Sequence, residues 1–196
     1  PSFAGGFWLL VLITGVSTLA GMSQLAFMIA LVRQAIRDPL TGVFSRGSAE
    51  EVLELQFTIA RRSNAALSVA FIDLDHFKSI NDRFGHEAGD KALLDMTDNV
   101  NSHLRRGDLL ARWGGEEFLL IMPNTDLAQA RAALLRMRSL GFGMRPDNTP
   151  LTASIGVAER SADQITAWKA LVELADQRMY LAKAAGRNTL CHHSGS

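Results

Sequence analysis

Two carboxylates lie at the centre of the segment GGEEF, which occupies positions 114–118 between two mostly apolar runs, 109–113 and 118–122. An apolar run on each side of a glycine pair predicts a β-hairpin with Glu116 and Glu117 at its tip. The two glycines are expected to supply positive φ angles in a tight turn. A lone turn of this kind is more often solvated surface, so the case for chemistry depends on a second acidic site.

The second acidic site follows the run 68–72, whose Val, Phe and Ile residues predict a buried β-strand. Asp73 and Asp75 alternate at its end and therefore point to the same face. A carboxylate at the end of a buried strand is costly unless a cation compensates it, although a solvated strand end is an alternative for Asp75. Carboxylate oxygens suit Mg²⁺ or Mn²⁺, and Mg²⁺ is commonly held by one or two carboxylates together with substrate phosphates.

Five blocks of sequence carry a resemblance to a known family. They are DPLTG at 38–42, DLDHFK at 73–78, NDRFGHEAGD at 81–90, GGEEF at 114–118 and AKAAGRN at 182–188. By their order and spacing, the region from Asp38 to Asn188 resembles the GGDEF family of diguanylate cyclases. Glu116 in place of the eponymous aspartate keeps the carboxylate.

The resemblance implies an α/β (α+β) palm, in which a central sheet is surrounded by helices as in nucleotidyl cyclases and some polymerases. It also implies the condensation of two GTP molecules into cyclic di-GMP with release of two pyrophosphates. The main alternative is a receptor of the same family that binds GTP or cyclic di-GMP without turnover. A cyclase that makes a different cyclic nucleotide is a second alternative.

The resemblance assigns roles to residues at matching positions. Mg²⁺ or Mn²⁺ would be bound by the carboxylates of Asp73, Glu116 and Glu117 and by the carbonyl of Leu74, and Glu116 would also accept the 3′-hydroxyl proton. Lys78 would stabilise the transition state. The implied substrate contacts comprise cations for the phosphates and residues for guanine: Lys78, Lys183, Arg187, Phe77, Asn81, His86 and Asp90. A carboxylate at position 90 can accept from guanine N1 and N2, donors that adenine lacks, which favours GTP over ATP.

Two further properties follow from the resemblance. Each domain would hold one GTP, so ring closure requires a homodimer whose two sites face each other. Arg105 and Asp108 match the Arg-x-x-Asp pattern through which the family binds its own product, which implies feedback inhibition by cyclic di-GMP. A solvated turn is the alternative interpretation of so short a motif.

The beginning of the chain has a different composition, with no charged side chain in residues 1–32. Residues 7–32 are mostly apolar and long enough to span a bilayer as a helix. Trp8 lies where an interfacial anchor is expected, and Arg33 and Arg37 place the C-terminal side in the cytoplasm. A signal peptide lacks support because no basic n-region precedes the apolar core, and a buried core helix lacks support because no charged face is present.

We therefore expect a transmembrane helix at 1–33, a short linker at 34–38, the catalytic domain at 39–190 and a tail at 191–196, with the helix in the bacterial inner (cytoplasmic) membrane. Twenty basic and twenty acidic residues cancel, so net charge indicates no surface for a nucleic-acid polymer. The single Cys191 excludes an intrachain disulfide and fits a reducing compartment. Apolar periodicity predicts helices at 48–62, 87–104, 127–140 and 165–185, and strands at 67–73, 110–113, 118–122 and 151–157.

Overall fold

The chain divides into two units, and the boundary between them in the sequence lies between Ile36 and Arg37. The computed structural model describes residues 2–193, with side chains for residues 6–28 and 36–193. The first unit is a single helix, α1 (Ser2–Ile36). Its segment Gly6–Met28 has a mean hydropathy of 1.7 and is long and apolar enough to cross a membrane. Every side chain in that segment is exposed, and an apolar surface on all sides is typical of a helix surrounded by lipid.

The second unit is built around a mixed six-stranded sheet with the order β1-β3-β4-β2-β5-β6. The three central pairings are antiparallel, whereas β1 with β3 and β5 with β6 are parallel. The strands are β1 (Phe44–Ser45), β2 (Leu67–Leu74), β3 (Leu109–Arg112), β4 (Glu117–Pro123), β5 (Ala153–Glu159) and β6 (Leu190–Cys191).

Helices cover both faces of this sheet. They are α2 (Arg46–Ser63), α3 (Phe77–Phe84), α4 (His86–Asn101), α5 (Leu127–Leu140) and α6 (Trp168–Ala184). On β2, Ile72 and Leu74 belong to the core formed with α3, α4 and α5, whereas Val69 and Phe71 belong to the core formed with α2 and α6. Strand alternation therefore divides the interior into two apolar layers, one on each side of the sheet. The expected fold, a central sheet surrounded by helices, is confirmed.

The predicted helices and strands are present, with shifted ends except at α5, whose bounds are those expected. The sequence pattern does not predict three of the elements. Helix α3 has only eight residues, too few to establish a helical period, and it begins after His76 in a left-handed conformation with φ 58°. Strands β1 and β6 have two residues each, too short to show any alternation.

Candidate active site

The two acidic positions lie side by side at one edge of the sheet. Strands β2 and β4 are antiparallel neighbours in a register that pairs Asp73 with Glu117. The backbone N–H of Leu74 donates to the carbonyl oxygen of Glu116 over 3.3 Å, which joins the end of β2 to the hairpin turn. Paired residues of an antiparallel ladder point to the same face, so Asp73 and Glu117 both face the side of α2 and α6.

The hairpin at 114–118 is present, but its glycines do not serve the expected purpose. The N–H groups of Trp113 and Gly114 both donate to the carbonyl oxygen of Glu117, over 2.8 and 3.2 Å. Neither Gly114 nor Gly115 has a positive φ, so that expectation was wrong. A Cβ at Gly114 would instead lie 2.5 Å from Oε2 of Glu117. The first glycine therefore leaves space for the glutamate carboxylate to fold back over the turn.

A cation from α6 completes the acidic edge. The Lys183 ammonium lies 2.7 Å from Oδ2 of Asp73, and the two side chains are 29% and 4% exposed. Helix α6 reaches this position because it packs directly on β5 at Gly156, where a Cβ would overlap the carbonyl oxygen of Ala175 and the amide nitrogen of Met179. The absence of a side chain in β5 thus determines how close the lysine comes to the sheet.

The electrostatics of this edge favour an additional cation. Burial raises the pKa of the Asp73 carboxyl above its ordinary value, although Lys183 acts in the opposite direction. Burial and then the charge of Asp73 raise the pKa values of Glu116 and Glu117. Burial also raises the pKa of Asp176, which Lys183 again opposes. Four carboxyl groups therefore share more negative charge than one ammonium neutralises.

The residues present fit a hard divalent cation by their donor chemistry. Within residues 2–193 no group of three His, Cys, Asp or Glu side chains is gathered closely enough to hold a metal ion. However, Asp73 already holds a cation, that of Lys183, and the flanking glutamates have raised pKa values. The buried carboxylate of Asp73 and the neighbouring carboxyl groups of Glu116 and Glu117 form a set of oxygen donors that suits Mg²⁺ or Mn²⁺.

Asp75 has a structural role, and its interpretation as a solvated strand end was wrong. The residue is only 3% exposed. Its carboxylate accepts hydrogen bonds from the hydroxyls of Ser154 and Thr152, over 2.7 and 2.8 Å, and from the backbone N–H of Asn188 over 2.9 Å. These bonds tie the end of β2 to β5 and to the loop after α6. They also fix the backbone next to Arg187, whose side chain is exposed.

Part of the expected guanine site lies between α3 and α4, on the opposite face of the sheet. A Cβ at Gly89 would overlap Oδ1 of Asn81 and lie 3.2 Å from Cζ of Phe77, so the two side chains pack against the bare backbone of α4. His86 and Asp90 are exposed in the first turns of α4. Lys78 is exposed in the first turn of α3 and has no part in the Asp73 ion pair.

Arg112 stabilises the hairpin, a role that no motif in the sequence predicts. Its guanidinium donates to the carbonyl oxygens of Gly114 and Gly115, over 3.2 and 2.8 Å, and to the Asp38 carboxylate over 3.1 Å. Burial acts to raise the pKa of Asp38, but hydrogen bonds from Thr41 and Arg112 outweigh it and hold that pKa below its ordinary value. The available signal is a single arginine two residues before the glycine pair, in an otherwise apolar strand.

No motif predicts Asp176 either. It lies seven residues before Lys183, two turns earlier on α6, and its charge raises the pKa values of Asp73 and Glu117. It lines, together with Glu117, a cleft of about 550 Å³ on the α2 and α6 side. The walls of this cleft carry two tryptophans, four acids and two cations: Trp113, Trp168, Glu50, Glu117, Glu173, Asp176, Arg46 and Lys169, with Phe71 and Val172.

Arg105 and Asp108 form a turn just before β3. Asp108 Oδ2 accepts from the backbone N–H of Arg105 over 3.0 Å, and its own N–H donates to the Arg105 carbonyl over 3.1 Å. The carboxylate therefore stabilises the turn itself, while the Arg105 side chain is exposed.

The comparisons with known proteins agree with this architecture. The family model described as "Diguanylate cyclase, GGDEF domain" matches residues 35–189. The chain belongs to the GGDEF family. This GGDEF protein is 39% identical over 162 residues to diguanylate cyclase DgcP of Pseudomonas aeruginosa, covering 81% of this chain and 24% of that one. It is 40% identical over 155 residues to probable diguanylate cyclase DgcC of Escherichia coli K12, covering 78% of this chain and 42% of that one.

This GGDEF chain thus spans less than half the length of those two relatives. Its structure is similar to the GGDEF domain of DgcB from Caulobacter crescentus, solved in complex with c-di-GMP. The TM-score is 0.74 at 28% identity, and the match covers 81% of this chain and 93% of that one. The likeness extends over nearly the whole of the solved domain.

Proposed function

We propose that this GGDEF protein is a diguanylate cyclase that condenses two GTP molecules into cyclic di-GMP and releases two pyrophosphates. The observation that carries the proposal is the edge of the sheet where Asp73 and Glu117 are paired and Lys183 lies 2.7 Å from Asp73. Phosphoryl transfer is catalysed mainly by positioning and by electrostatic stabilisation, which acids and cations at one edge can supply. Relatives named as diguanylate cyclases support the same reaction.

In this reaction each 3′-oxygen bonds to the α-phosphorus of the other GTP, while the bond from that phosphorus to pyrophosphate breaks. The 3′-hydroxyl proton passes to Glu116, since burial and the charge of Asp73 raise the pKa of this carboxyl and make it a stronger base than a solvated glutamate. Lys78 would stabilise the negative charge that develops on the transferred phosphoryl group. Lys183 and Arg187 would bind the triphosphate of the resident GTP.

Mg²⁺ or Mn²⁺ would be held by Asp73, Glu116, Glu117 and the carbonyl of Leu74. When bound, such an ion lowers the pKa of the attacking hydroxyl and neutralises charge on the triphosphate. The chain's own contribution is to keep the carboxylates at one edge, through the β2–β4 register and the Arg112 bonds to the turn.

Guanine would be selected between α3 and α4. Asp90 would accept from guanine N1 and N2, and Asn81 would supply a further polar contact, with Phe77 and His86 lining the pocket. Support comes from the packing of Asn81 and Phe77 on Gly89, which brings both side chains against the backbone of α4. A site that bonds to guanine in this way rejects adenine because its polar groups would be left unpaired.

The active form would be a homodimer, because one domain offers one acidic edge and the product requires two nucleotides. Mixing wild-type chains with an excess of Glu116→Ala chains tests this, provided that subunits exchange. Activity per wild-type subunit should then fall in proportion to the fraction of wild type. An activity that stays constant would indicate that single chains suffice.

Product inhibition would act through the turn at Arg105 and Asp108. The guanidinium of Arg105 is exposed, and it can bind phosphate or guanine. Arg105→Ala should give a progress curve that no longer slows as cyclic di-GMP accumulates, whereas the neighbouring exposed Arg106→Ala should not. Equal slowing in both variants would count against the assignment.

Anchoring by α1 would place the catalytic domain on the cytoplasmic side of the bacterial inner membrane. The apolar segment Gly6–Met28 supports this proposal. Fractionation of cells with and without residues 1–36 tests it. Recovery of the full chain in the soluble fraction would exclude the anchor.

The first experiment is mass spectrometry of products after the full chain, in detergent, is incubated with GTP and Mg²⁺. Glu116→Ala removes the proposed base, and Glu51→Ala, an exposed glutamate on α2, is the matched control. Cyclic di-GMP from wild type and Glu51→Ala but not from Glu116→Ala is the expected result. No product from wild type, with GTP or cyclic di-GMP still bound, would identify a receptor instead.

A further inference from the structure

The ion pair between Asp73 and Lys183 joins a fixed partner to a movable one. Asp73 is 4% exposed at the end of a central strand, whereas Lys183 is 29% exposed near the end of α6. A lysine ammonium sits on a flexible four-carbon stem and can move towards solvent or phosphate without any backbone change. The carboxylate cannot move in the same way, because its strand is paired on both sides.

The neighbouring acid shows that a cation is not the only way to compensate a carboxylate here. Asp75 is as deeply buried, yet its oxygens accept three hydrogen bonds from neutral donors, two hydroxyls and one backbone N–H. Those donors belong to the sheet and to its adjoining loop, so they hold Asp75 permanently. Asp73 is instead compensated by a charge that can leave.

The neighbouring carboxylates allow another cation to replace the Lys183 ammonium. Asp73 is paired with Glu117 across the β2–β4 ladder, and Glu116 lies at the adjoining turn, so three acidic residues surround the position of one ammonium. A divalent cation offers twice the charge to the same oxygens, so it competes directly with the ammonium.

We infer that Lys183 is a resident counter-ion of Asp73, which a divalent cation must displace before the lysine can bind nucleotide phosphate. The phosphate half of this inference rests on the proposed function, whereas the exchange at Asp73 does not. Metal binding and the Asp73–Lys183 contact exclude each other. Binding of the metal would therefore break the ion pair and release the Lys183 ammonium to bind the triphosphate.

Competition predicts effects of opposite sign on two ligands. Lys183→Met should tighten Mn²⁺ binding in the absence of nucleotide on the order of 10-fold, the equivalent of one hydrogen bond to a charged group. The same substitution should weaken binding of a non-hydrolysable GTP analogue. Lys78→Met should weaken the analogue but leave Mn²⁺ binding unchanged, since Lys78 has no part in the Asp73 ion pair. Lys169→Met, an exposed lysine at the start of α6, controls for loss of charge from the helix.

The test is titration of the full chain in detergent with Mn²⁺, monitored by the loss of the free Mn²⁺ signal in electron paramagnetic resonance. Lys183→Gln is measured in parallel, and circular dichroism establishes that each variant is folded. A direct readout uses the wild type alone, in which brief acetylation with and without Mn²⁺ is quantified at each lysine by mass spectrometry. Mn²⁺ should increase acetylation of Lys183 and leave Lys169 unchanged.

Unchanged or weaker Mn²⁺ binding in folded Lys183→Met and Lys183→Gln, or unchanged acetylation of Lys183, would overturn the inference. Equal tightening in Lys169→Met would also overturn it, because general helix charge would then explain the effect. These readouts need no turnover. A chain that makes no cyclic di-GMP can still show the exchange, and an active cyclase can lack it, so failure of the inference and failure of the proposed function are distinguishable.

Discussion

Gly156→Ala is the substitution whose consequence can be worked out most directly from the structure. At Gly156 on β5, the backbone of α6 comes so close that an added Cβ would overlap it. A Cβ there would lie 2.7 Å from the carbonyl carbon of Arg178, against 3.4 Å for an ordinary contact, so α6 must retreat by at least about 0.7 Å. The contacts with Ala175 and Met179 are closer still and involve backbone atoms that no rotamer change can move.

The expected effects on stability and on activity have the same origin. Overpacking of a core typically costs about 1–3 kcal/mol, and each kcal/mol lowers Tm by roughly 2–4 °C in a domain of this size. The Tm should therefore fall by about 2–12 °C. Lys183 lies on the same helix one turn beyond Met179 and moves with it. A displacement approaching 1 Å at a reacting centre can cost on the order of 100-fold, so kcat/KM should fall by about 10- to 100-fold.

The assay measures Tm by tryptophan fluorescence and initial rates of cyclic di-GMP formation, both on the full chain in detergent. Gly47→Ala is the matched control, because Gly47 lies in helix α2, has no atom within 4 Å of a Cβ position and does not have a positive φ. Alanine is a better helix former than glycine, so this control should keep its activity and hold or raise its Tm. A Gly156→Ala variant that matches Gly47→Ala in both measurements would refute the argument that Gly156 sets the position of α6.

Three further predictions concern charged groups. Arg112→Lys keeps the charge but cannot reach Asp38 and the two turn carbonyls together, so kcat/KM should fall about 10-fold, as judged by initial rates. Asp163→Asn removes the bidentate partner of buried Arg178 and should cost about 3 kcal/mol in the free energy of unfolding at pH 7. Burial acts to raise the pKa of Asp163, but bonds from Arg178 and a backbone N–H lower it, so this stabilisation is present above the unfolded pKa. It should be lost progressively in melts below about pH 4, as the pH falls through the lowered pKa of the folded state. Glu116→Gln should abolish at least about 99% of activity yet raise Tm at pH 7, because the raised pKa of Glu116 makes its charged form a cost that appears as the pH rises through the unfolded value. That gain should vanish in melts at acidic pH, and a Tm below that of wild type at pH 7 would contradict it.

The acidic edge could be predicted from sequence because both of its halves are local patterns. The run 68–72 alternates as a buried strand should, and GGEEF follows another such strand, so each pattern locates its own carboxylates. Order and spacing of the motif blocks then identified the family, and the family implied the sheet that pairs the strands. The register of Asp73 with Glu117 confirms that the two patterns meet.

The remaining features depend on contacts between distant parts of the chain, which no local pattern encodes. Arg112 and Asp38 are 74 residues apart, and nothing in either neighbourhood indicates the other. Asp75 looks like Asp73 in sequence, and only the hydroxyls of Ser154 and Thr152, far along the chain, show that it is permanently satisfied. The role expected of Gly114 was wrong for a similar reason, because the purpose of that glycine depends on where the Glu117 side chain folds.

The pKa values of the partly buried acids are shifted in two directions. Asp38 and Asp163 are partly buried, yet their pKa values are lowered because arginine and backbone N–H groups bond to the charged form. The acids at the sheet edge are also partly buried, but too few donors bond to their charged forms. Their pKa values are therefore raised. A raised pKa means that the charged form of the acid lowers stability, and acids of this kind are typical of sites that bind a ligand or carry out a reaction. The acids with raised pKa values are Asp73, Glu116, Glu117 and Asp176, and Asp176 belongs to none of the motif blocks. We therefore expect Asp176 to contribute to the site, because its charge also acts on Asp73 and Glu117.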